Sequence, residues 1–270
     1  MLSQHPAFFG FPELNLAAAE TVGELLVLWT RLRSLFRTEF PSGLGRALAQ
    51  LEFGEQSSAG LLWAREWMGS RKDWATADVW DFLAAAVHPR GVVEKSPLVV
   101  FQRERIARAI RHGRGAAVIH LARHPATAVR SMQRTYRKGG AVGARECLEA
   151  WAMAHRNIFE ETRGAEVVWR VRGEDLLEDP RAVWPGFFRL LGMELSGEAM
   201  EAMMHPERWV FAGVGPAEAP YDNDDHFLKE PTLRVGRPRV PDSVDEGLAV
   251  LGIEEVPEAA RAVAEVLGYV

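Results

Sequence analysis

Between Leu14 and Phe36 the apolar positions recur at helical spacing (Leu14, Ala18, Val22, Leu25, Leu26, Trp29, Leu32, Leu35, Phe36), and Pro41-Ser42-Gly43 breaks the run. This predicts a helix over 14–38. A second helical stretch, roughly 57–87, carries Trp63, Trp67, Trp74, Trp80 and Phe82. Such a series reads first as core, because large rings bury much apolar area; a wall for a bound acceptor is the alternative. From Gly91 the period changes. Val92-Val93 forms a short strand ending at Glu94-Lys95-Ser96-Pro97, and a helical run follows to about His112. Residues 116–122 read as a buried strand that stops at Arg123-His124-Pro125. A helix from Ala126, another over roughly 144–163, and a strand over 166–171 complete the series. Short strands alternating with helices of this length predict an α/β fold with a mostly parallel sheet flanked by helices on both faces.

The 270 residues suit one large domain or two small ones; with no repeat or low-complexity linker, 1–270 is read as a single domain. Basic residues number 32 against 37 acidic, a net charge of −5 that argues against sequence-independent nucleic-acid binding. Apolar content of 47% with 26% charged is a globular balance. The single cysteine, Cys147, excludes an intramolecular disulfide framework and a multi-cysteine metal site. No apolar run reaches membrane-spanning length and the first residues lack the order of a signal peptide, so the expected setting is cytoplasmic, with no membrane partner. Nothing in the pattern fixes an oligomeric state.

Polar clusters fall at the predicted carboxyl ends of the strands, where ligands of parallel α/β sheets sit. At one of them, a strand delivers Arg123 to the rim and Pro125 presets the first helical turn, whose unpaired N–H groups suit an anion. Arg123 offers a planar fork for phosphate oxygens and Ser131 a hydroxyl. The alternative is a plain helix start with the arginine paired to a carboxylate. His120 faces into its strand and reads as structural; His124 reads as ordering the turn. The late segment from Gly213 to Lys229 is rich in turn formers. Its Asp222-Asn223-Asp224-Asp225 run lacks the central glycine and the closing glutamate of a calcium loop, and no metal is expected. Arg234, Arg237 and Arg239 either add phosphate contacts or are simply solvated.

Arg123-His124-Pro125 with a serine eight positions after the arginine resembles the 3′-phosphate-binding segment of sulfotransferases that use 3′-phosphoadenosine 5′-phosphosulfate (PAPS). Glu94-Lys95-Ser96-Pro97 is similar to that family's Lys-Ser-Pro strand end. The run from Arg172 to Pro180 resembles its R-Y-E-D-L-x-x-D-P segment, and Trp151 and Asn157 match between them. Bacterial sulfotransferases, including the sulfotransferase domains of olefin-forming polyketide synthases, are the nearest likeness. The resemblance implies a three-layer P-loop-like fold and transfer of a sulfuryl group from PAPS, without a metal, to a hydroxyl on a small-molecule or carrier-tethered acceptor. It places Arg123 and Ser131 on the 3′-phosphate and Lys95 near the bridging oxygen of the leaving group. His5-Pro6 with Phe11-Pro12-Glu13-Leu14 resembles the family's H-P … P-E-L stretch, which makes Glu13 the candidate base; otherwise it is an acid in the first turn of the 14–38 helix. Glu94 is a further carboxylate nearby, and the late segment resembles the loop that closes over nucleotide or acceptor.

Two departures stand out. No stretch resembles the P-R-S-G-T loop that cradles the 5′-phosphosulfate, and Met1–Pro6 corresponds to the helix that follows it, so the first strand and phosphate loop are expected to be missing. Gly173 stands where relatives often carry tyrosine. The second functional expectation is therefore a non-catalytic, sulfotransferase-like nucleotide-binding shell.

Overall fold

The computed structural model describes all residues except 37, 39, 137–141, 221–224 and 270. The chain forms two compact units: Met1–Val99 with Leu195–Leu233, and Val100–Glu194 with Arg234–Val270. Among the described residues no helix is long and apolar enough to cross a membrane.

In the first unit, strand β1 (Phe8–Gly10) pairs in parallel with β2 (Gly91–Val93), in the register Phe9↔Val92. Four helices lie between them in sequence: α1 (Val22–Phe36), α2 (Ser42–Phe53), α3 (Ser58–Gly69) and α4 (Thr76–Val87). The predicted 14–38 helix begins late. Asn15 takes a left-handed φ of 56°, which its short polar side chain tolerates, and only a single 3-10 turn, Leu16–Ala18, follows. α1 then starts where the Glu24 carboxylate accepts the Glu20 N–H at 2.9 Å and Thr21 Oγ1 accepts the Glu24 N–H at 3.2 Å, a reciprocal cap. Glu13 thus lies outside any helix. The 57–87 stretch divides into α3, capped by Ser57 Oγ on the Gly60 N–H, and α4. Trp67 is buried in the core with Leu25, Leu44, Leu61, Met68 and Leu83, and Trp63 and Trp80 pack against that core. Trp74 and Phe82 stay partly exposed on the rim of Trp67, at 5.6 and 5.4 Å between ring centroids. The later segment of this unit holds α10 (Gly197–Met203) and α11 (Asp225–Lys229), and Trp209 Nε1 donates to the Gly10 carbonyl at 2.8 Å.

In the second unit, β3 (Val118–Ala122) pairs in parallel with β4 (Val168–Arg172), with His120 opposite Arg170. The helical run expected up to His112 is a 3-10 turn (Pro97–Phe101), which straddles the two units, followed by α5 (Arg103–Gly113). α6 (Pro125–Tyr136) and α7 (Ala144–Glu161) follow β3; α8 (Gly173–Glu178) and α9 (Pro180–Leu190) follow β4; α12 (Val244–Ala249) and α13 (Glu258–Val266) close the unit. Its core joins Val129 of α6, Leu148 and Trp151 of α7, Leu248 of α12 and Val263 of α13. Both described strand pairs are parallel and interleaved with helices, the α/β class the alternation predicts. Asp222, Asn223 and Asp224 of the late segment lie outside the described residues.

Candidate functional site

Each unit brings polar groups together just beyond the carboxyl end of its strand pair. In the first, Phe11 N–H donates to the Val93 carbonyl at 2.9 Å, continuing the parallel pairing one step past β1. The three residues after β2 then grip the three residues from Glu13. Glu94 Oε1 accepts the Leu14 N–H at 3.1 Å, and Ser96 Oγ accepts the Asn15 N–H at 2.8 Å. Lys95 Nζ donates to Glu13 Oε1, and the Ser96 hydroxyl donates to Glu94 Oε1. The left-handed turn at Asn15 is held further by Asn15 Nδ2 on the Glu13 carbonyl at 3.0 Å. Gly43, at the start of α2, closes the far side: a Cβ there would lie 2.2 Å from the Glu13 carbonyl oxygen. The Glu13 side chain is 19% exposed and that of Lys95 61%, so the carboxylate is partly dry and the ammonium faces solvent. Burial pushes the Glu94 carboxyl up to about 7, against the opposing hydrogen bonds from Ser96 and Leu14. The predicted base and the predicted lysine are therefore direct partners.

In the second unit, β3 ends at Ala122 and the chain turns through Arg123-His124 into α6. The Arg123 carbonyl accepts Trp151 Nε1 at 3.2 Å, and the His124 N–H donates to Glu174 Oε1 at 2.9 Å. His124 Nδ1 accepts the Ala126 N–H at 3.3 Å while Thr127 Oγ1 donates to the His124 carbonyl at 2.8 Å, so His124 orders the turn. With its backbone so fixed, the exposed Arg123 side chain has no ion pair among the described residues, and the Ser131 hydroxyl on α6 has no hydrogen-bond partner among them. Among the described residues the plain alternative, an arginine neutralised by a neighbouring carboxylate, does not form: Glu174 serves the backbone and accepts Tyr269 OH at 2.7 Å. Arg172, the counterpart at the end of β4, is spent. Its fork binds both oxygens of Asp175 at 2.8 and 2.7 Å and its third nitrogen donates to the Gly268 carbonyl at 3.0 Å. A cleft of about 320 Å³ opens at this rim, lined by His124, Arg172, Glu174, Arg237 and Tyr269 among others.

His120 is buried, its Nε2 2.7 Å from Nδ1 of His155, and burial lowers the two rings to about 3 and about 4, so both are neutral at ordinary pH. It is a core group, as its place within the strand predicts. Asn157 Nδ2 donates to the Val100 carbonyl at 3.1 Å, tying α7 to the start of its unit. Sequence reasoning missed Tyr269, which no local pattern marks, and the roles of His155 and Glu174; the last lies within the quoted Arg172–Pro180 run. Among the described residues, no three His, Cys, Asp or Glu side chains cluster as metal ligands.

A family model described as the sulfotransferase family matches residues 1–197. Two solved structures are similar over the whole chain. One is a sulfotransferase domain from the curacin biosynthetic pathway, 21% identical with a TM-score of 0.70, covering 100% of this chain and 91% of that one. The other is a sulfotransferase domain from the Synechococcus PCC 7002 olefin synthase, 25% identical with a TM-score of 0.69, covering 100% and 88%. No curated protein sequence matches the chain.

Proposed function

Because the chain belongs to the sulfotransferase family, we propose that it transfers the sulfuryl group of PAPS to the hydroxyl of a small-molecule or carrier-tethered alcohol. The observation that carries the donor assignment is an arginine held at a helix N-terminus by its backbone, with no ion pair to its guanidinium among the described residues. Arg123, the positive end of the α6 dipole and the Ser131 hydroxyl are the groups we assign to the phosphate dianion. Arg237 in the adjoining cleft adds a second cation.

Sulfuryl transfer depends on positioning and on stabilising charge at the leaving oxygen. Glu13, partly dry and within reach of an incoming hydroxyl only if Lys95 releases it, takes the hydroxyl proton. The alcohol oxygen attacks sulfur, the bond from sulfur to the bridging phosphate oxygen breaks, and adenosine 3′,5′-bisphosphate leaves. Lys95 moves from the Glu13 carboxylate toward that departing oxygen, so the resting ion pair stores the base and the cation together. No step needs a redox partner. The curacin biosynthetic pathway and the olefin synthase named for the two similar domains are biosynthetic settings, which supports an acceptor that is a biosynthetic intermediate.

Calorimetric titration with adenosine 3′,5′-bisphosphate tests this. Arg123→Ala is expected to weaken binding by about ten- to a hundredfold, the scale of a lost charge-assisted phosphate contact. Unchanged affinity overturns the assignment. Turnover of PAPS with a panel of alcohols separates the enzyme from the second reading, since binding without turnover identifies the nucleotide-binding shell.

A further inference from the structure

Glu94 has no part in the chemistry proposed above, although it stands where the end of β2 meets the turn that carries Glu13. Its Oε1 accepts the Leu14 N–H and the Ser96 hydroxyl, and that hydroxyl in turn accepts the Asn15 N–H. With Gly43 against the Glu13 carbonyl on the other side, the turn cannot shift without breaking these links. A neutral acid or an amide would accept the same two hydrogen bonds. What a carboxylate adds is charge, beside a second carboxylate and one ammonium.

Resting on the sulfuryl-transfer reading, we propose that Glu94 is a positioning residue that clamps the Glu13 turn to the strand end and, through its own ionisation, sets the basicity of Glu13 toward the acceptor hydroxyl. Glu13 and Lys95 are the charged groups that act on Glu94, the first raising its proton affinity and the second lowering it, while burial is the largest influence. While Glu94 is neutral, the Lys95 ammonium on the Glu13 carboxylate makes it a weak base. When Glu94 ionises, a second negative charge beside the same ammonium raises the proton affinity of Glu13. The Glu94 carboxyl is pushed up to about 7, so this change falls near neutrality.

The full chain, labelled with 13Cδ-glutamate, is titrated by NMR, with Glu13→Gln and Glu94→Gln assigning the two signals. In the unaltered chain both are expected to inflect together near neutrality, and Glu94→Gln removes that inflection from the Glu13 signal. A Glu13 signal that stays flat through the Glu94 titration overturns the proposal, as does a Glu94 that titrates in the ordinary carboxylate range. Ser96→Ala removes one hydrogen bond to the carboxylate and is expected to move the shared inflection to higher pH; it serves equally should Glu94→Gln not fold. No nucleotide enters this titration, so its outcome is independent of the bisphosphate titration that tests the donor assignment. In turnover, Glu94→Gln is expected to lower kcat by about three- to tenfold with KM for PAPS unchanged. A raised KM at constant kcat would count against a role exerted through Glu13.

Discussion

Replacing Glu94 by glutamine isolates the energetic consequence of placing a charge where water is scarce. Glutamine keeps an acceptor for the Leu14 N–H and the Ser96 hydroxyl, so the clamp persists and only the titration is lost. Burial raises the folded-state carboxyl from 4.5 to about 7. The folded chain therefore holds this proton more tightly than the unfolded chain. Between these two values the folded state binds more protons, so the contribution of Glu94 to stability falls as pH rises and is flat above and below. At about 1.4 kcal/mol per pH unit, the full span amounts to about 3 kcal/mol, an upper value because the residue is only partly buried. Urea unfolding, followed through the tryptophan fluorescence of the chain at a series of pH values, measures this directly. The stability of Glu94→Gln relative to the unaltered chain is expected to rise by about 1–3 kcal/mol from pH 4 to pH 8, with the change concentrated above 4.5. A difference independent of pH, or one that shrinks as pH rises, refutes the reasoning.

Three further outcomes follow from the geometry. Gly43→Ala forces a Cβ to within 2.2 Å of the Glu13 carbonyl oxygen, so the turn must move; a loss of about 1–3 kcal/mol and a fall in kcat larger than any change in bisphosphate affinity are expected, measured by urea unfolding and turnover. Trp151→Phe removes the hydrogen bond to the Arg123 carbonyl; bisphosphate binding by calorimetry is expected to weaken by less than tenfold, a positioning effect smaller than loss of the guanidinium itself. His120 and His155 are held neutral by burial, with folded values of about 3 and about 4 against an ordinary 6.5. Their contribution to stability is therefore present above 6.5 and lost as pH falls below it, and imidazole NMR signals from both are expected to stay in the neutral position at pH 5; titration near 6.5 would contradict the buried pair.

What the sequence made legible is what is local. The strand that stops at Arg123-His124-Pro125 and the helix that starts there follow from adjacent residues, because a proline at the first helical turn and a preceding apolar run each act within a few positions. Arg123 at the strand end and Ser131 within the helix were therefore placed correctly on their elements, while their pairing on one phosphate comes from the family resemblance. β1 was not: Phe8-Phe9-Gly10 is too short for any period, and only its partner strand makes it one. The 14–38 helix was placed too early for a related reason. Apolar periodicity continues through Leu14 and Ala18, yet the N–H groups of Leu14 and Asn15 are claimed by Glu94 and Ser96, 80 and 81 residues away, and the left-handed Asn15 ends the helical path. Tyr269 reaches Glu174 across 95 residues, a contact no local pattern announces. Glu13 and Lys95 became visible through the family resemblance; their hydrogen bond is a tertiary fact.

The two clusters are electrostatic opposites, and that contrast bears on how each one works. Around Arg123 the protein satisfies the backbone and, among the described residues, leaves the side chain without an ion pair, while the neighbouring Arg172 is consumed by Asp175 and Gly268. A free guanidinium at a helix N-terminus places two positive influences side by side, which disfavours the empty state and favours any state in which an anion arrives. Around Glu13 the carboxylate meets the Lys95 ammonium instead, and on the proposed mechanism the acceptor competes with Lys95 for it. On the proposed mechanism an anion meets the first cation as it stands, whereas proton transfer at the second opens an ion pair. The Lys95 ammonium faces solvent, so water replaces part of its contact when the pair opens. A larger energy lies in Glu94, whose partly buried charge disfavours the resting fold near neutral pH and whose hydrogen bonds nevertheless keep the turn in place. On the proposed mechanism, stability is given up at a carboxyl whose charge strengthens the proposed base, a cost that a passive nucleotide binder has no use for.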